Sequence, residues 1–69
     1  MYDIMKAVER AKAKHPAFPI NPAMAGIVLA EEFAEVMAEI QYNDPQRIKA
    51  ELLDLAAVCV RFLEVMDRG

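Results

Sequence analysis

Four prolines decide where this chain can be helical. Pro16, Pro19 and Pro22 fall within the eight-residue run HPAFPINP, and Pro45 follows Asn43-Asp44, leaving two long proline-free stretches, 23–44 and 46–69. A proline inside a helix removes a backbone donor and clashes with the preceding turn, and it biases its predecessor away from helical dihedrals. Asn21-Pro22 and Asp44-Pro45 are each start signals, because a short side-chain oxygen caps the first turn and proline suits the first helical position. The reading is an all-α fold with helix 1 over about 3–14, an extended connector over 15–21, helix 2 over about 22–42 and helix 3 over about 45–67, in one domain spanning 1–69. Ile4, Val8 and Ala11 recur at helical spacing on helix 1. Phe18 and Ile20 are expected to pin the connector to the core. The very short link between helices 2 and 3 predicts an antiparallel helical hairpin.

A chain of 69 residues that is 57% hydrophobic is too apolar to be a disordered polar tail. At this size, however, the gain from burial and the cost of ordering nearly cancel. Disulfides, a metal or self-association are the usual remedies. With one cysteine an internal disulfide is impossible, so metal binding and self-association remain. A net charge of −3 has the wrong sign for a non-specific nucleic-acid binder. No export signal is visible, and the longest uncharged apolar run, Ala23 to Ala30, is too short to span a membrane. A cytoplasmic protein with no nucleic-acid polymer and no membrane as partner is expected.

The acidic residues carry the most specific pattern. Glu32 and Glu35 are three apart on helix 2, and Glu51 and Asp54 are three apart on helix 3, so each pair shares a helix face. Counted outward from the turn, Glu35 is level with Glu51 and Glu32 with Asp54, each to within ~2 Å at 1.5 Å of rise per residue. The apolar stripes beside them are Leu29, Phe33, Val36 and Ile40 on helix 2, and Ile48, Leu52, Leu55, Cys59 and Met66 on helix 3. Four carboxylates at one place must be protonated, splayed into water or neutralised by a cation. Hard oxygen donors favour Mg²⁺, with Mn²⁺ as the second choice. The single histidine, His15, lies in the connector, and neither acidic pair has the Glu-x-x-His spacing of di-iron bundles. The plain alternative is a solvated acidic face, since glutamates at i and i+3 are common on helices.

Glu31-Glu32-Phe33-Ala34-Glu35, a fifteen-residue gap and Glu51-Leu52-Leu53-Asp54 resemble the EExxE–ExxD signature of the all-α NTP pyrophosphatase superfamily, the MazG-like proteins. The flanking segments LAEEFAEVMAEI and ELLDLAAVCVRFLEVMDR are similar to small phage-type members, and the likeness covers roughly residues 27–68. It implies a nucleotide pyrophosphohydrolase that cleaves a nucleoside triphosphate, ribo or deoxy, to the monophosphate and pyrophosphate. Glu32, Glu35, Glu51 and Asp54 would be the magnesium ligands. Glu31 would lie just behind them or help Glu35 position the attacking water. The family also implies dimers or tetramers. The chain departs from many members in ending soon after the ExxD helix, where others carry further basic residues that hold the nucleotide.

Arg47 and Arg61 fall close to the face of Glu51 and Asp54 and are the candidate substrate-binding residues, because arginine binds phosphate well. The plain reading is an Arg47–Glu51 pair and an exposed Arg61. Lys6, Arg10 and Lys14 form a basic stripe on helix 1, expected to be solvated unless it faces the site of another subunit. Glu39 reads as exposed, Cys59 as core, and His15 and Tyr42 as packing residues. Leu53, Ala56, Ala57 and Val60 form a second apolar stripe on helix 3, and Met24, Ile27 and Ala34 fall away from the core stripe of helix 2. Two apolar faces per helix predict a homodimer or a dimer of dimers. The alternative to an enzyme is a non-catalytic helical oligomerisation or nucleotide-binding module.

Overall fold

The structure is a computed structural model that describes residues 2–68. Those residues form three α-helices and no strand: α1 (Ile4–Lys14), α2 (Pro22–Tyr42) and α3 (Pro45–Arg68). Each start is capped by a short polar side chain. Asp3 Oδ1 accepts from Lys6 N at 3.0 Å, Asn21 Oδ1 from Ala23 N at 2.8 Å, and Asp44 Oδ1 from Gln46 N at 3.0 Å. Pro22 and Pro45 occupy the first helical positions, where no backbone donor is lost. Helix α2 ends at Asn43, whose φ of 54° and ψ of 38° are left-handed, a conformation asparagine tolerates better than most residues.

Both α1 and α2 pack on α3 and not on each other. Ala7 and Val8 of α1 bury against Ala57 of α3, with Ala11, Leu53 and Val60 around them. On the other side Ala25 and Val36 of α2 and Val58 and Val65 of α3 are buried. The core is thus built largely of alanine and valine, small side chains that let helices approach closely. No helix among the described residues is long and apolar enough to cross a membrane.

The apolar faces differ from those expected. Leu53, Ala57 and Val60, expected at a subunit interface, lie under α1 of the same chain. As the element between two others, α3 needs two apolar faces within one chain. In the expected core stripe of α3, Leu52 and Met66 are about half exposed and Cys59 is exposed. On α2, Val36 is buried but Phe33 is 56% and Ile40 48% exposed. The buried face of α2 instead runs through Ala25, Glu32, Val36 and Glu39, of which the two glutamates are partly buried. At ~100° per residue it is turned by about 60° toward the acids. In the connector Phe18 is half-buried against Phe62, with ring centroids 6.5 Å apart, whereas Ile20 is 79% exposed and pins nothing.

Candidate functional site

Helices α2 and α3 leave the two-residue turn with polar side chains facing one another. Nearest the turn, Arg47 Nη2 pairs with Glu39 Oε1 at 3.0 Å. Farther out, Glu32, Glu35 and Glu51 bring one carboxylate oxygen each to within 4.8 Å of one another. Asp54 stands outside that trio but close enough for its charge to act on both Glu32 and Glu51. Among the described residues no basic side chain pairs with any of these four. Glu32 Oε2 and Glu51 Oε2 are buried and accept no hydrogen bond. A buried oxygen with no donor is costly. Carboxylate oxygens are hard donors of the kind that suit Mg²⁺ or Mn²⁺, so Glu32, Glu35 and Glu51 could hold such an ion with Asp54 beside it.

The crowding changes the acids themselves. The Glu32 carboxyl is raised to about 7 by burial first, then by the charges of Glu35 and Asp54. Glu51 is raised by burial and by the same two neighbours. Removing a carboxylate from water and adding like charges both favour the protonated form. Near neutral pH the cluster therefore binds a proton that a divalent cation would displace.

A cleft of about 500 Å³ opens beside this cluster, in the gap that α1 and α2 leave by packing only on α3. Glu31, Glu32 and Glu35 line it from α2, and Asp54, Val58 and Arg61 from α3. Its other wall is Arg10, Ala11 and Lys14 of α1, and the connector around Phe18 closes one end. Arg61 is 6% exposed. Its Nη2 donates to the carbonyl oxygens of His15 at 2.7 Å and Pro16 at 3.4 Å, and its guanidinium stands 5.0 Å from the centre of the Phe18 ring. Arg61 therefore fastens the connector to α3.

The structure brings together Glu31, Glu32, Glu35, Asp54 and Arg61 along one cleft, with Glu51 in the carboxylate trio. Arg47 is a correction. It lies outside the cleft, bound to Glu39 and not to Glu51, because Glu39 is partly buried across from it and needs a partner. Arg61 is not exposed, and Cys59 is not core. Tyr42 is exposed beside the turn. Arg10 and Lys14, expected to be solvated or to face a site from another subunit, line the cleft of their own chain. Their i, i+4 spacing was the available signal, but the path of the connector decides where that face points. No family model matches the chain, and neither a curated protein nor a solved structure shows significant similarity to it.

Proposed function

We propose that this protein is a Mg²⁺-dependent nucleoside triphosphate pyrophosphohydrolase, converting a nucleoside triphosphate and water to the monophosphate and pyrophosphate. One observation carries the reading: three carboxylates converge within 4.8 Å with no basic partner among the described residues. The resemblance of the acidic pattern to MazG-like proteins supports it. Glu32, Glu35, Glu51 and Asp54 would hold the ion. When bound, it would neutralise phosphate oxygens and lower the pKa of a water. Glu31, exposed at the cleft and beside the cluster in sequence, would with Glu35 orient the attacking water and accept its proton. Arg61 holds the end wall in place. We further propose that α2 and α3 form an antiparallel hairpin and that the chain works as a homodimer or a dimer of dimers. Each subunit would supply one acidic set, and the neighbour would help wall the nucleotide pocket.

Pyrophosphate release from a panel of ribo- and deoxynucleoside triphosphates with millimolar Mg²⁺ tests the reading. Release is expected from the parent and should be lost in Glu51→Gln with helical circular dichroism unchanged. Equal release by parent and variant would trace the activity to a contaminant. If no triphosphate is cleaved, the second reading takes over: a non-catalytic helical oligomerisation or nucleotide-binding module. The exposed apolar side chains of α2, Phe33, Met37 and Ile40 among them, favour that module.

A further inference from the structure

We propose that α1 of the same chain supplies the phosphate-binding wall of the cleft, with Arg10 and Lys14 holding the phosphate chain of the metal-bound triphosphate. This rests on the pyrophosphohydrolase reading for the identity of the ligand. The two residues are one turn apart on α1 and both line the cleft opposite Glu31, Glu32 and Glu35. Residues at i and i+4 sit about 5–6 Å apart at Cβ, a spacing that a run of adjacent phosphates can bridge. If these cations served only to offset the acids, they would be expected to close on them. Among the described residues neither makes an ion pair, while Lys12 on the same helix pairs with Glu64 at 3.4 Å. The cleft of about 500 Å³ therefore has an acidic wall, with a buried unpartnered oxygen on Glu32, and a basic wall whose two exposed cations pair with no acid among the described residues. A polyanion carrying a divalent cation satisfies both walls at once. A simple anion would be repelled by the acids, and a bare cation would leave α1 unused. The position of α1 is fixed by Val8 packing on Ala57 and by Arg61 gripping the connector.

The test uses inorganic tripolyphosphate as the phosphate probe and Mn²⁺ as the metal probe. Tripolyphosphate binding is followed calorimetrically with Mg²⁺ and with chelator, and Mn²⁺ binding by the electron paramagnetic resonance of the free ion. Arg10→Gln with Lys14→Gln should weaken tripolyphosphate binding about tenfold or more, as loss of charge-assisted hydrogen bonds predicts, and leave Mn²⁺ affinity unchanged. The control pair Lys6→Gln with Lys49→Gln removes the same charge outside the cleft and should change binding by less than about twofold. Equal losses in both pairs, no loss in the first, or no binding by the parent would overturn the proposal. A parent that binds tripolyphosphate through Arg10 and Lys14 but takes up no Mn²⁺ would overturn the metal-bound form of the ligand and the pyrophosphohydrolase reading with it, leaving α1 only as an anion-binding wall.

Discussion

A carboxyl that titrates near pH 7 links the fold of this protein to pH and to cations. Glu32 ionises at about 7 in the folded chain against an ordinary value of 4.5, and Glu51 moves the same way. An acid whose pKa is raised by folding binds its proton more tightly in the folded state. Its contribution to stability is fully present below pH 4.5 and is lost as pH rises through about 7. In chelator, the melting temperature is therefore expected to fall from pH 5 to pH 8, and Glu32→Gln should flatten that fall. At pH 8, added Mg²⁺ should restore stability by RT ln(1 + [L]/Kd), about 2.7 kcal/mol at a hundred times Kd, or on the order of 10 °C for a domain this small. Glu35→Gln should abolish most of this gain. A melting temperature independent of pH and of Mg²⁺ in the parent would refute an acidic cluster built for a cation. These acids were legible in the sequence because their register depends only on a short turn and a constant rise per residue. Arg10 and Lys14 were not, because seven connector residues separate α1 from α2 and no local rule gives the connector's path.

The starts of α2 and α3 could be read from their capping residues, since Asn21 and Asp44 act within three residues of themselves, and the end of α1 from His15-Pro16. The faces were harder. On α2 the apolar residues outnumber what one partner can cover, so the periodicity of Leu29, Phe33, Val36 and Ile40 looked complete although α3 takes a face nearer the acids. Cys59 failed for a related reason: it follows the helical period but sits on the flank of α3 away from both neighbours. Burial of Arg61 had no sequence signal, because its partners are backbone carbonyls. They lie in a proline-rich connector with few donors of its own. This makes Arg61 a structural clamp. Arg61→Ala is expected to destabilise the chain by about 2 kcal/mol through loss of hydrogen bonds from a charged donor, with a smaller part from its contact with Phe18. Lysine should restore little of it, since it lacks the planar fork. Urea unfolding measures this directly, and an alanine variant as stable as the parent would show that water serves the carbonyls equally well. Val8→Ala, at the α1–α3 contact, should cost ~1–3 kcal/mol.

At the scale of the whole molecule, α1 changes where self-association can occur. With Leu53 and Val60 covered by α1, that face of α3 is unavailable to a partner. On α2, Met24 and Ile27 are exposed near its start, and farther along Phe33, Met37 and Ile40 form a stripe, each about half exposed and spaced at i, i+4 and i+7. Such a stripe is one continuous helix face, and contiguous apolar surface of this kind marks an interface in soluble proteins. A small alanine–valine core leaves little stability to spare, so burying the stripe between subunits would contribute where the single chain is weakest. The expected outcome in dilute solution is a mass by light scattering that is a multiple of 7.8 kDa. Phe33→Gln with Met37→Gln removes the stripe without adding charge and should shift the mass toward that of one chain. Leu53→Glu with Val60→Glu should instead displace α1 and unfold the chain, with loss of helical circular dichroism. The two double variants thus separate the surfaces. If the α2 variant stays assembled and the α3 variant yields folded monomers, the interface lies on α3, and α1 must move aside in the assembly.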